Sequence, residues 1–182
     1  MKSFEYATPR TVDEAVEQLA DKWGETEVLA GGTDLVTCLK QGLTAPKRVV
    51  SLKAVKGLKG IETGKGALTI GAMTTIAALA ADDSTQRYPA LAQAASLISG
   101  PQVREVGTLG GNVMLDTRCQ WYNQTYFWRE ALGFCLKKDG ALCHVIAGGS
   151  KCVAAASNDT APALMTLNAE LRFISPRGET VM

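Results

Sequence analysis

Five cysteines and two glycine pairs are the residues whose type and spacing point to chemistry. Cys119, Cys135, Cys143 and Cys152 crowd into one stretch, while Cys38 stands alone near the start of the chain. Four thiolates suit either a zinc ion or an iron-sulfur cluster. No pair has the C-x-x-C spacing of a structural zinc knuckle, and an iron-sulfur centre also accounts for a position just after a glycine loop of nucleotide-binding make-up. On these residues alone zinc and ordinary buried thiols stay open. Cys38 reads as core. The glycine loops are Leu29-Ala30-Gly31-Gly32-Thr33-Asp34-Leu35 and Gly107-Thr108-Leu109-Gly110-Gly111-Asn112-Val113, alike in combining apolar residues, a glycine pair, a hydroxyl and an accepting side chain. Glycine admits close approach and positive φ, leaving successive N–H groups free for phosphate oxygens, so two such loops suit one extended anionic ligand. His144 is the only histidine, which excludes any site needing two, and it reads as a structural side chain.

Composition narrows the setting. The chain has 182 residues, 46% of them hydrophobic, and its 19 basic and 18 acidic side chains leave a net charge of +1. That balance argues against a nucleic-acid surface or an anionic membrane, either of which needs clustered Lys and Arg. No apolar run approaches ~20 residues, and the charged start Met1-Lys2-Ser3-Phe4-Glu5 is not a signal peptide, so the protein is expected in the cytoplasm. Cytosolic thiols stay reduced, which directs the cysteines to metal binding or catalysis rather than disulfides.

These residues must be positioned by regular elements. Phe4-Glu5-Tyr6 reads as a strand, and Thr11 with Glu14 as a capping box for an amphipathic helix carrying Val12, Ala15, Val16, Leu19, Ala20 and Trp23 up to Gly24. A strand over 27–30 runs into the first glycine loop, a short helix over 35–40 ends at Gly42, and a strand over 48–52 completes a β-α-β-α-β unit, residues 1–55. Beyond it, strands at 60–63 and 67–71 flank the turn Gly64-Lys65-Gly66, Thr74 is placed to cap a helix through Leu79, and Pro89 opens another that Gly100-Pro101 ends. From 115 to 156 periodicity is lost while six of the eleven aromatic residues appear, as in an insert that folds around something. Ser157 or Asn158 then caps a helix over 159–167, and a strand over 170–174 leads to a turn. The chain stops in mid-hairpin, so a further C-terminal portion is expected.

Five ordered motifs carry a family resemblance. They are Phe4-Glu5-Tyr6 with the following helix; Leu29-Ala30-Gly31-Gly32-Thr33-Asp34; Leu68-Thr69-Ile70-Gly71-Ala72; Val103-Arg104-Glu105-Val106-Gly107-Thr108-Leu109-Gly110-Gly111-Asn112; and Asn158-Asp159-Thr160-Ala161-Pro162-Ala163-Leu164. Together they resemble the FAD-binding medium subunit of molybdenum hydroxylases, the group of xanthine dehydrogenase and carbon monoxide dehydrogenase. The resemblance implies an α+β fold of two FAD-binding subdomains of the vanillyl-alcohol oxidase type, residues 1–55 and 56–182, without the family's C-terminal domain. It also implies that residues 29–35 and Thr108, Gly110, Gly111 and Asn112 hold the flavin pyrophosphate, and that Asp159 reaches the ribityl chain. Met73 and Thr74 depart from the common xanthine dehydrogenase pattern.

The cysteine-bearing insert resembles that of the 4-hydroxybenzoyl-CoA reductase β subunit. This implies a 4Fe-4S cluster on Cys119, Cys135, Cys143 and Cys152, entry of electrons from a ferredoxin, and partner subunits carrying molybdopterin (large) and 2Fe-2S clusters (small), with no catalytic residue on this chain. The competing expectation is a flavin subunit that passes electrons to NAD or quinone.

Overall fold

A β-α-β-α-β order opens the computed structural model, which describes residues 1–64 and 66–182. Its elements are β1 (Glu5–Ala7), α1 (Val12–Glu17), β2 (Thr26–Leu29), α2 (Leu35–Gln41) and β3 (Arg48–Ser51). The strands form a parallel sheet in the order β1-β3-β2, with Val49 opposite Tyr6 and Glu27, and Val50 opposite Ala7 and Val28. Successive side chains of a strand face opposite ways, so a central parallel strand must bury both. Val50 packs with Ala15 of α1 and Val55, whereas Val49 packs with Leu29 and with Leu39 of α2.

Helix α1 stops at Glu17, short of the stretch its apolar spacing suggests, and Trp23 stands 98% exposed. Neighbouring strands supply the reason. Arg48 donates to the Gln18 carbonyl (3.2 Å) and Thr26 Oγ1 accepts the Ala20 N–H (3.2 Å), so these backbone groups are satisfied outside the helix. At the other end Thr11 Oγ1 accepts the Glu14 N–H, while Glu14 accepts from the N–H of Arg10, one residue earlier than a standard capping box.

Antiparallel hairpins and short helices make up the rest: β4 (Ile61–Gly64), β5 (Ala67–Ile70), α3 (Ile76–Ala81), α4 (Pro89–Leu97), α5 (Pro101–Val106), α6 (Leu109–Val113), α7 (Tyr126–Ala131), α8 (Ala161–Thr166), β6 (Arg172–Ser175) and β7 (Gly178–Val181). Lys65, within the expected turn, lies outside the described residues. Ile76, Leu79, Leu91, Ala95, Leu109 and Ala163 share one core, which places α8, beyond the insert, against α4 ahead of it. The insert is therefore an excursion from a closed unit. The whole is α+β, a parallel sheet followed by helices and antiparallel hairpins.

Four local outcomes differ from expectation. Pro101 does not end a helical region but begins α5, because proline fits the first helical turn and Gly100 supplies the extended residue before it. The second glycine loop is itself helical, with Thr108 Oγ1 accepting the Gly111 N–H. Asn158 does not cap α8, which starts at Ala161. Thr75, not Thr74, caps α3.

Thr74 is instead buried, its hydroxyl accepting the Gly60 N–H (3.0 Å) and donating to the Gly60 carbonyl (2.9 Å). Thr74→Val keeps the shape, leaves the Gly60 N–H without its partner and takes one of two donors from the Gly60 carbonyl, which keeps the Gly71 N–H (2.9 Å). It is expected to destabilise the protein by about 1–3 kcal/mol, read as a lower denaturant midpoint with an unchanged m-value.

Candidate functional site

The two glycine loops meet face to face. A Cβ on Gly31 would lie 2.2 Å from the Val106 carbonyl oxygen and 3.0 Å from Gly107 Cα, so only glycine permits this approach. A Cβ on Gly107 would come within 3.6 Å of Thr33 Oγ1, and one on Gly111 within 3.8 Å of Ala30 Cβ. Gly32 adopts φ +89, which turns the chain from buried Leu29 toward Thr33, Asp34 and Leu35 at the head of α2.

The loops differ in what their backbone offers. Among the described residues the N–H groups of Gly31, Gly32, Thr33 and Asp34 donate to no backbone carbonyl, leaving a run of open donors. The second loop corrects the expectation of two equivalent cradles. Leu109 N–H donates to Thr74 O (2.9 Å), Gly110 N–H to Ala72 O (2.8 Å), Gly111 N–H to Thr108 Oγ1 (3.2 Å) and Asn112 N–H to Thr108 O (2.9 Å). The first two tie α6 to the segment between β5 and α3, and the other two are taken within the loop by Thr108. Gly110 is needed for that seating, since its Cβ would fall 2.8 Å from Ala72 Cβ.

Side chains take over on this side. Asn112 Oδ1 accepts from Thr160 N–H (3.0 Å) and Oγ1 (2.7 Å), and its Nδ2 donates to Asp159 Oδ2 (3.2 Å). Asn158 Nδ2 lies within hydrogen-bond distance of the carbonyls of Asn112, Val113 and Leu115, at and just beyond the end of α6. Asp159 is thereby brought beside Asn112 with its side chain exposed.

Arg118 and Ala155 exchange backbone hydrogen bonds (2.7 and 2.9 Å) and close the neck of the insert. Beyond that neck Cys119, Cys135, Cys143 and Cys152 line one cavity of about 20 Å³, together with Trp121, Tyr122 and His144. Cys135 is buried in a tight turn in which Lys138 and Gly140 N–H both donate to its carbonyl, whereas Cys152 is exposed. His144 stacks on Trp121 (5.2 Å between centroids) and bonds Phe134 O through Nε2, the structural role expected for it. Among the described residues no three His, Cys, Asp or Glu side chains converge closely enough to hold a single metal ion. Cys38 lies apart, buried on α2. Burial raises its thiol above the usual value despite the adjacent Arg118, which fits a neutral core residue.

Sequence reasoning missed the cations of the insert. Arg118, Arg129 and Lys137 lie 5.9, 6.0 and 5.1 Å from the centre of the Tyr122 ring, and Tyr122 and Lys137 line the cysteine cavity. Their spacing along an aperiodic stretch showed no common face. The insert also rests on the first unit: Arg129 Nη2 donates to Gly42 O (3.1 Å), and Lys138 Nζ to Leu43 O.

Comparison with known proteins agrees with this geometry. Residues 2–182 match the family described as the FAD binding domain in molybdopterin dehydrogenase. The carbon monoxide dehydrogenase medium chain of Hydrogenophaga pseudoflava is 38% identical over 111 residues, 60% of this chain and 39% of that protein. The aldehyde oxidoreductase FAD-binding subunit of Escherichia coli is 32% identical over 187 residues, 99% of this chain and 58% of that one. The structure of reconstituted CO dehydrogenase from Oligotropha carboxidovorans superposes with a TM-score of 0.69 at 28% identity, covering 100% of this chain and 50% of that one. The chain thus spans about half the length of the relatives it matches. With its two glycine loops in contact and the fold shared from end to end, the chain belongs to the FAD-binding domain family of molybdopterin dehydrogenases.

Proposed function

We propose that this chain is the flavin and iron-sulfur electron-transfer part of a molybdenum-dependent oxidoreductase of the 4-hydroxybenzoyl-CoA reductase kind. FAD lies over residues 29–35 and Thr108, Gly110, Gly111 and Asn112, between the halves 1–55 and 56–182, with Asp159 toward its ribityl chain. The open donors of residues 31–34 take the pyrophosphate, and Asn112 with Asp159 offers side-chain partners where the amides of residues 109–112 are already used. Bound flavin supplies exchange between one- and two-electron steps, and a thiolate-held 4Fe-4S cluster supplies a one-electron centre. Electrons arrive from a ferredoxin and leave toward a small 2Fe-2S subunit and a large molybdopterin subunit, where the phenolic hydroxyl is removed reductively. No side chain of this chain handles that substrate.

One observation carries the cluster: four cysteines distant in sequence line a single cavity. Four thiolates suit zinc or a cluster, and a one-electron centre is the more useful of the two beside a flavin site. Residues 119–152 provide no catalytic pair, and their role is to exclude water and hold the thiols.

The test compares wild-type holoenzyme with Cys119→Ser and Cys143→Ser, purified anaerobically. Loss of about four irons and as many sulfides per medium subunit, with FAD retained, is expected. Equal iron in all three, or zinc in the wild type, would overturn the cluster and leave the second reading. That reading, favoured by the carbon monoxide dehydrogenase medium chain among the relatives, is a flavin subunit passing electrons to NAD or quinone.

A further inference from the structure

Asp34 stands at the N-cap of α2, where an aspartate normally turns its carboxylate onto the helix's first amides. Here it makes no such bond, and its backbone is helical (φ −101, ψ −55) rather than extended. Its Oδ2 is held by Arg118 Nη2. Arg118 is well fixed: two backbone hydrogen bonds to Ala155 anchor it at the neck of the insert, its guanidinium packs by Tyr122, and its side chain is 16% exposed against 47% for Asp34. The rigid cation therefore steers the freer carboxylate.

We infer that Arg118 is a positioning residue for the flavin site, lent by the cysteine-bearing insert: it draws the Asp34 carboxylate away from the open donors of the first glycine loop and neutralises it. The inference rests on the reading that residues 29–35 hold the flavin pyrophosphate. Two physical effects act together. A released Asp34 carboxylate would swing onto the unpaired N–H groups beside it, in competition with a phosphate for the same donors. It would also set a bare negative charge against the diphosphate, a like-charge contact that Arg118 cancels. Because Cys119 follows Arg118 directly, and Tyr122 both flanks Arg118 and lines the cysteine cavity, the two cofactor sites share one anchoring side chain. The ordinary flavin loop thus acquires a component from the insert.

FAD is removed from the full-length subunit in its complex, and its rebinding is titrated by flavin fluorescence in wild type, Arg118→Met, Asp34→Asn and the double variant. Arg118→Met is expected to weaken FAD by about tenfold in the wild-type background, and by less than about twofold once Asp34 is Asn. Arg118→Lys should recover part of the affinity, since it returns the charge without the forked donor. A merely structural Arg118 would weaken FAD equally in both backgrounds; that result, or no weakening in either, overturns the inference. Gly31→Val separates the layers: if it lowers FAD affinity while Arg118→Met does not, the inference alone falls. If Gly31→Val also leaves affinity unchanged, the flavin-loop reading falls with it.

Discussion

Gly31→Val is expected to strip the flavin from the protein while leaving most of its secondary structure. The added Cβ would sit 2.2 Å from the Val106 carbonyl oxygen and 2.9 Å from its carbon, both backbone atoms, so no side-chain rotation relieves the overlap. The loops must separate. Overpacking of this kind costs about 1–3 kcal/mol or more, and here the displaced segments are the ones proposed to share a ligand. Flavin absorbance per protein should fall by more than about tenfold, with a lower melting temperature for the flavin-free protein. Gly111→Val is the internal comparison: its Cβ meets the Thr108 hydroxyl at 3.0 Å and Ala30 Cβ at 3.8 Å, so the milder change should retain more flavin. Full flavin content in Gly31→Val would mean that contact between the loops is not needed for binding.

Arg129→Ala is expected to loosen the insert. The Arg129 side chain is 1% exposed, donates to Gly42 O, lies 3.9 Å from Asp139 and packs by the rings of Tyr122 and Phe134. Its Nε and Nη1 have no hydrogen-bond partner among the described residues. Truncation leaves a cavity and an unpaired Gly42 carbonyl, together about 2–4 kcal/mol. Trp121 and Trp128, in contact inside the insert, should report an early unfolding step by fluorescence. Arg129→Met separates volume from charge. Recovery of stability by methionine would show that packing of the side chain against Tyr122 and Phe134 holds the insert. Failure to recover would show that the bond to Gly42 holds it.

Much of the scaffold was legible because its signals are local. Thr11 capping α1, Gly42 closing α2 in a left-handed conformation and Pro89 opening α4 each depend on a few adjacent residues, and each formed where expected. The failures came where distant groups compete for the backbone. Thr74 has the right chemistry for a cap, but Gly60 takes its hydroxyl; α1 is cut short by Arg48 and Thr26; Asn158 serves the end of α6 rather than the start of α8. Local pattern cannot report such partners: Thr26 lies six positions from the Ala20 it serves, outside the helix, and the others lie 14 to 46 positions away in the chain.

The glycine loops divide the same way. That residues 29–35 and 107–113 form a pair follows from composition, because only glycine allows two backbones to come so close. Which loop keeps its amides free is partly a tertiary matter: Thr108 takes those of Gly111 and Asn112 locally, whereas those of Leu109 and Gly110 are taken by Thr74 and Ala72 across the fold. The cysteines likewise announce a candidate ligand set by number and proximity alone. Their arrival at one cavity, the cations gathered round Tyr122 and the reach of Arg118 to Asp34 require the insert to fold back between its own ends and onto α2. The family and its ligand chemistry were thus written in short motifs, which act through neighbours in sequence. The electrostatic link between the two sites joins residues 84 positions apart, and only the folded chain brings them together.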